Sequence, residues 1–316
     1  MSGPSGLEVV RPGALTTVQD LGRPGYAHLG VPRSGALDAG AHALANRLVG
    51  NAPDAATLET TLDGVALRAL TPGTVAVTGA PCAVRAAGRP VAWGAPVWLP
   101  AGAVLEVGQA VWGVRSYVAV RGGFGVTAVL GSRATDLLSG LGPPVLSAGA
   151  VLPVGPPGPD PVRGADALRV PGVPGAAGTA GAEGVPGAAG AEGVPGPSAE
   201  LVLPLRLGPR EDWFTRDSIA GLWRSRYRVS AMSNRIGLRT EAGPPLIRAR
   251  GGELPSEGMV LGAVQVPPDG LPVVFLADHP VTGGYPVIGV VPPGPSLDAA
   301  AQARPGVGVR FVGVAG

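Results

Sequence analysis

Glycine and proline punctuate this chain so often that long helices cannot be its framework. There are 53 glycines and 36 prolines among 316 residues, more than a quarter of the total. Inside a helix glycine costs backbone entropy, and proline lacks the N–H and clashes with the preceding turn. Short strands joined by tight turns tolerate both residues at their ends. Apolar residues make up 45% of the chain, enough for a sizeable core, but aromatics only 4%, so that core rests on Val, Leu and Ala. A mainly β protein with a few helices is the expectation.

Between Gly155 and Ser198 the composition narrows to Gly, Pro, Ala, Val and a few charges. The heptapeptide GAEGVPG occurs at Gly181–Gly187 and again at Gly190–Gly196, and glycine falls on every third position from Gly172 to Gly196. This is a collagen-like register, which a short trimerising triple helix would use. A flexible low-complexity linker explains it more simply, because such composition buries no core. The chain therefore divides into an N-terminal β-rich lobe (1–154), a collagen-like linker expected to lack order (155–200) and a C-terminal β-rich lobe (201–316).

In the first lobe, Thr57–Leu62 and Val65–Leu70 flank Asp63-Gly64, a two-residue hairpin signal. Further strand-like runs follow at barrel or sandwich spacing. One helix is predicted over Ala36–Val49, with Leu37, Ala41, Leu44, Ala45 and Leu48 on one face, Ser34 as cap and His42 at the surface. In the second lobe Thr215 caps a helix near Arg216–Ser225. Val260–Val266 and Pro272–Ala277 flank the turn Pro267-Pro268-Asp269-Gly270, where Asp269 is a turn former.

All 24 basic residues are arginine, since the sequence contains no lysine. This excludes a Schiff-base lysine, a P-loop lysine and biotin carried on this chain. The net charge is +2 and no basic run exceeds Arg224–Arg228, so no nucleic-acid partner is expected. One cysteine and three histidines argue against an internal disulfide and against a metal site. Met1–Val10 has no leader pattern and no apolar run reaches membrane-spanning length, so a cytoplasmic protein without a membrane partner is expected.

The longer motifs begin with Thr16-Thr17-Val18-Gln19-Asp20-Leu21-Gly22-Arg23-Pro24-Gly25-Tyr26. His28-Leu29-Gly30-Val31-Pro32, Ser34-Gly35-Ala36-Leu37-Asp38 and Ala45–Asn51 follow, then Leu58–Leu62 and Leu130–Asp136. The set continues with Asp212-Trp213-Phe214, Tyr227–Ser230, Arg235–Arg239, Glu253-Leu254, Ser256-Glu257-Gly258 and Gln265–Gly270. It closes with Leu276-Ala277-Asp278-His279 and Thr282-Gly283-Gly284-Tyr285-Pro286. In this order the chain resembles the carboxyltransferase-domain family (allophanate hydrolase subunit two). That family includes the C subunits of 5-oxoprolinases, or KipA-like proteins, and the carboxyltransferase part of urea carboxylases. The resemblance covers nearly everything except the linker. It departs at Gly142-Pro143-Pro144, where relatives carry a Gly-Arg pair whose anion contact does not carry over.

The resemblance implies two cyclophilin-like β-barrel lobes. It also implies one component of an ATP-dependent 5-oxoprolinase, which opens 5-oxo-L-proline to L-glutamate. The implied partners are a cyclophilin-like sister (the B subunit) and a lactam-utilisation protein (the A subunit). ATP, with Mg2+, is the implied cofactor. A biotin-dependent carboxyltransferase acting on urea or a related amide, and a non-catalytic regulatory binding partner, are the alternatives.

A lactam carbonyl is a poor electrophile, so its opening needs proton transfer, oxyanion donors and cations for phosphate. Candidate catalytic residues are Asp20, His28, Asp278 and His279, expected to face one cleft formed by the loops Gln19–Asp38 and Asp278–Tyr285. His279 is preferred to His28 as the base. Candidate substrate- or ATP-binding residues are Gln19, Arg23, Ser34, Asp38, Arg133, Glu257, Gln265, Thr282, Gly283, Gly284 and Tyr285. Arg33 is a further cation for phosphate or carboxylate. Thr282-Gly283-Gly284 is read as an anion nest or, more simply, a tight turn. Cys82 is read as a small structural residue.

Deletion of residues 158–198 is expected to leave the melting temperature and the oligomeric state unchanged, as measured by thermal melts and light scattering. Loss of a trimer on deletion would instead reveal a collagen-like assembly.

Overall fold

A computed structural model describes residues 6–163 and 200–314. Most of the collagen-like segment lies outside the described residues. The chain divides into two compact units. The first takes the chain up to Gly22, Asp38–Thr135 and the chain from Gly140. The second takes Arg23–Leu37, Asp136–Ser139 and the chain from Glu200. Two short segments from the first half of the sequence thus belong to the second unit, which a division at the linker does not foresee. Hydrogen bonds hold them there: Ser34 and Leu137 both donate to Asp278.

The first unit contains strands β1 (Leu7–Arg11) and β2 (Leu15–Gln19), helix α1 (Ala39–Leu48), then β3 (Thr57–Thr61), β4 (Ala66–Ala69), β5 (Gly73–Gly79) and β6 (Cys82–Ala86). It continues with β7 (Arg89–Val91), β8 (Pro96–Leu99), β9 (Val104–Ala110), β10 (Arg115–Val120) and β11 (Val151–Leu152). These form a six-stranded sheet, β11-β1-β4-β9-β6-β7, and a five-stranded sheet, β2-β3-β10-β5-β8, with every pairing antiparallel.

Alternation along the central strands sorts residues between the two faces of the five-stranded sheet. Val18, Leu58, Val75, Val77, Val118 and Val120 enter the apolar core with Leu67, Leu99, Leu105 and Val107. The opposite positions carry Thr17, Gln19, Thr57, Glu59, Thr78 and Tyr117, and all are buried. Helix α1 covers that polar face. His42 bonds Thr57 (2.8 Å), and the Thr78 hydroxyl donates to the Ala41 carbonyl (2.7 Å).

Three local readings change here. The helix cap is Asp38, whose carboxylate accepts from the Ala41 N–H (2.8 Å), rather than Ser34. His42 is buried, not on the surface, because the polar sheet face offers its ring two partners. Asp63-Gly64 does not close a hairpin: β3 pairs with β2 and β10, whereas β4 pairs with β1 and β9 in the other sheet. Gly64 turns this corner at φ +66°, and a Cβ there would sit 2.2 Å from the Val107 carbonyl oxygen.

The second unit contains β12 (Glu200–Leu207), α2 (Arg216–Leu222), β13 (Tyr227–Val229), β14 (Gly237–Glu241), β15 (Glu257–Gly258) and β16 (Ala263–Gln265). After these come β17 (Val273–Phe275), β18 (Thr282–Gly283), β19 (Val287–Val290), α3 (Pro295–Gln302) and β20 (Gly308–Gly313). Seven strands close a barrel in the order β12-β19-β16-β17-β14-β13-β20, with β20 returning parallel to β12. Leu203, Leu205, Val229, Leu238, Val264, Val274, Ile288 and Phe311 form its core, and Tyr227 meets Phe311 edge-on at 6.0 Å.

The β16–β17 hairpin is the one read from the sequence: the Gly270 N–H donates to Pro267 (3.0 Å) and Asp269 accepts from Leu271 (3.0 Å). Thr215 caps α2 through the Ser218 N–H, also as read. Helix α3 is an addition. Its signal is Pro295 in the first turn of an alanine-rich run, and Leu297, Ala300 and Ala301 pack on the core.

Replacing Asp38 by Ala removes the cap of α1. It is expected to lower stability by about 1 kcal/mol, with Asp38→Ser retaining most of it, as measured by urea denaturation.

Candidate functional site

In the second unit a buried ion pair organises the loops. Arg235 approaches Asp278 through two hydrogen bonds, Nε to Oδ2 at 2.8 Å and Nη2 to Oδ1 at 3.0 Å. Both side chains are almost wholly out of water, at 3% and 0% exposure. A pair so placed is tolerated only if the remaining lone pairs and protons are also satisfied. They are: the Ser34 hydroxyl donates to Asp278 Oδ1 (2.8 Å), and Arg235 Nη2 also donates to the Gly35 carbonyl (2.7 Å). The Ser34 N–H donates to Ala277 (3.0 Å), so Ser34 is tethered through both backbone and side chain. Its φ is +54°, an uncommon conformation for a residue with a Cβ, held by these bonds.

His279 follows Asp278 and is buried. Its Nδ1 lies 2.8 Å from the Pro280 carbonyl, which can only accept, so Nδ1 carries the proton and Nε2 holds the lone pair of the neutral ring. The ring stacks on Phe275 at 6.1 Å. Burial holds its pKa below the usual histidine value, and the charge of Arg33 adds to that while Asp278 opposes it. The result at neutral pH is an uncharged imidazole with an accepting Nε2, suited to taking a proton.

His28 lies in a short 3₁₀ turn, Ala27–Leu29, and is exposed, with its Nδ1–H on the Gly25 carbonyl at 3.1 Å. Arg23 is buried with Asp136 at 4.0 Å, and Asp136 also accepts from the N–H groups of Leu138 and Ser139 and from the Ser139 hydroxyl. Glu257 pairs with Arg210, which holds its carboxyl below the usual range.

Thr282 and Gly283 run extended as β18 against β15, so the Gly-Gly segment is a ribbon edge and not a curled anion nest. Gln265 donates to the Tyr285 carbonyl at 3.2 Å, and a Cβ on Gly283 would lie 2.5 Å from its Nε2. A side chain at position 283 would have to displace that amide. Gly284 and Tyr285 are exposed beside it.

The remaining candidates belong to the first unit and hold its loops. Asp20 accepts from the Gly22 N–H (2.8 Å), the Ser132 hydroxyl (2.6 Å) and the Arg133 N–H (2.5 Å). Arg133 Nε donates to the Val126 carbonyl at 2.8 Å. The Gln19 amide donates to the Thr17 hydroxyl and the Thr135 carbonyl, both at 3.0 Å. The Asp38 N–H donates to the Tyr117 hydroxyl (2.8 Å), and that hydroxyl donates to Glu59 (2.7 Å). Burial and the Glu59 charge push the Tyr117 pKa well up, so the phenol stays protonated. Cys82 is buried with its thiol pushed up to about 11, as fits a structural role.

Of the loop residues expected to meet, Ser34 and Asp278 do so directly. Arg235 is the residue that sequence reasoning missed as part of the site. Its signal was an arginine at the head of the apolar run entering β14.

The chain belongs to the carboxyltransferase-domain family: the family model for carboxyltransferase domain, subdomains A and B, matches residues 29–313. It is 36% identical over 288 residues to the C subunit of 5-oxoprolinase from Escherichia coli, covering 90% of this chain and 84% of that one. It is 30% identical to the C subunit of 5-oxoprolinase from Haemophilus influenzae, covering 98% and 91%. Urea amidolyase of Lachancea kluyveri is 34% identical, but the chain spans only 17% of its length. The crystal structure of the Kluyveromyces lactis urea amidolyase superposes with a TM-score of 0.82 at 30% identity, covering all of this chain and 19% of that one. Among the described residues no helix is long and apolar enough to cross a membrane.

Replacing Arg235 by Met leaves a buried carboxylate without its guanidinium and is expected to cost about 3–5 kcal/mol. Adding Asp278→Asn to that variant should recover part of the loss in a thermal melt, because the uncompensated charge is gone.

His42, like His279, is held below the usual histidine value by burial. The unfolded chain therefore takes up these protons first. The stability linked to neutral imidazoles is complete above pH 6.5, the ordinary value, and falls as the pH drops from there toward the folded values. Urea denaturation at stepped pH values is expected to show this loss, with a shallower slope in His42→Gln.

Proposed function

We propose that this protein is one component of a 5-oxoprolinase, which couples ATP to the hydrolysis of 5-oxo-L-proline to L-glutamate and acts with partner subunits. The observation that carries this reading is the match to the C subunits of two 5-oxoprolinases over most of their own length, 84% and 91%. Hydrolysis adds water across the lactam C–N bond, so a group must take a proton from the water as the carbonyl carbon is attacked. Neutral His279, fixed by Pro280 and Phe275, fits that task, and the Arg235–Asp278–Ser34 cluster holds its loop.

Arg23 lies buried against Asp136, Arg133 donates through Nε to the Val126 carbonyl, and Gly283 lies in an extended ribbon. The nucleotide requirement belongs to the assembled enzyme. Its proposed partners are the cyclophilin-like sister (the B subunit) and the lactam-utilisation protein (the A subunit).

The urea amidolyase superposition supports a second reading, a carboxyltransferase acting on urea or a related amide. Without lysine in this chain, biotin would have to arrive on another carrier.

The purified subunits, mixed with ATP and 5-oxoproline, are expected to release glutamate, and to stop doing so when this chain carries His279→Asn. Glutamate release without this chain, or only biotin-dependent carboxylation of urea, would overturn the assignment.

A further inference from the structure

Arg23, Arg33 and Arg133 are the arginines that the sequence offers to an anion, and the structure separates them. Arg23 is buried with Asp136, and Arg133 Nε is bound to a carbonyl. Arg33 is exposed, and among the described residues no carboxylate or carbonyl pairs with its guanidinium. An unpaired surface arginine is ordinary in itself. This one is held in an unusual place. The next residue, Ser34, is tied to Ala277 and Asp278 by bonds of 3.0 and 2.8 Å, in a strained left-handed conformation. The Arg33 carbonyl accepts from the Arg23 N–H at 2.7 Å, which fixes the other side of the residue. One peptide therefore separates Arg33 from the Ala277–His279 backbone.

We propose that Arg33 is the binding residue for the carboxylate of the substrate, beside His279. This inference rests on the proposed 5-oxoprolinase reading, whose substrate is a lactam bearing one carboxylate. The planar guanidinium fork matches the two oxygens of such a group and holds the lactam in one orientation. A triphosphate would need several cationic groups, and Arg23 is already buried against Asp136.

The charge of Arg33 already acts on the His279 ring. The other charges there are Asp278 and, paired with it, Arg235. A bound carboxylate neutralises Arg33 and makes His279 a stronger base as substrate arrives. The bonds on either side of Arg33 thus fix its backbone next to the Ala277–His279 segment.

The test has two arms. In the assembled enzyme, Arg33→Ala is expected to raise KM for 5-oxoproline about tenfold or more, the scale of a lost charge-assisted hydrogen bond, with KM for ATP unchanged. Arg33→Lys should recover part of the loss. In the full chain alone, the His279 ring resonance, assigned with His279→Asn, is followed against 5-oxoproline and against 2-pyrrolidinone, which lacks the carboxylate. The parent is expected to bind 5-oxoproline the more tightly, and Arg33→Ala to lose that preference.

An unaltered KM in active Arg33→Ala enzyme, or equal response of the parent to both lactams, overturns the subsite. A rise in KM for ATP alone would assign Arg33 to phosphate instead. An assembly that forms no glutamate overturns the 5-oxoprolinase reading, and the resonance arm still decides the carboxylate subsite.

Discussion

The ion pair between Arg235 and Asp278 is the contact on which the second unit's loops depend. A carboxylate and a guanidinium buried together are stable only when every donor and acceptor finds a partner. Here those partners are Ser34, Gly35 and the Leu137 N–H, contributed by segments far away in the sequence. The requirement that keeps the charges satisfied therefore also gathers the loops. His279 inherits its position from this arrangement, as the residue after Asp278, and Arg33 inherits its own as the residue before Ser34.

The first unit solves a related problem with a network of polar side chains. Its five-stranded sheet buries both faces, one apolar and one lined with Thr, Gln, Glu and Tyr. The polar face is tolerated because α1 and the segment after it supply matching groups. His42 bonds Thr57 and the Pro53 carbonyl, while Asn46 donates to the Ala55 carbonyl and Asn51 to the Val120 carbonyl. Asp20, Gln19 and Arg133 belong to the same kind of order. Their types suggest catalysis for Asp20 and substrate or ATP binding for Gln19 and Arg133, and their hydrogen bonds close the loop ends of the sheet.

Much of the architecture is legible without coordinates. Glycine and proline density excludes long helices, apolar runs mark most strands, and Pro267–Gly270 announces its hairpin. The site is legible in part. The motif Ala277-Asp278-His279 and the loop containing Ser34 both stand out in the sequence, and the structure joins them through a hydrogen bond. Asp63-Gly64 misleads because a hairpin and a corner between sheets use the same turn chemistry. His42 misleads because helical periodicity records which side is apolar, not whether a polar side is also covered.

The sequence by itself determined the fold class, the turn positions, the exclusion of lysine chemistry and the pool of polar loop residues. These follow from local backbone preference and composition, which act over a few residues. Tertiary structure alone decided which of those polar residues are occupied and which remain available. Arg23, Arg33 and Arg133 are alike as letters. Only burial and tertiary contacts distinguish an arginine buried against Asp136, or bonded through Nε to the Val126 carbonyl, from one left exposed beside a neutral histidine.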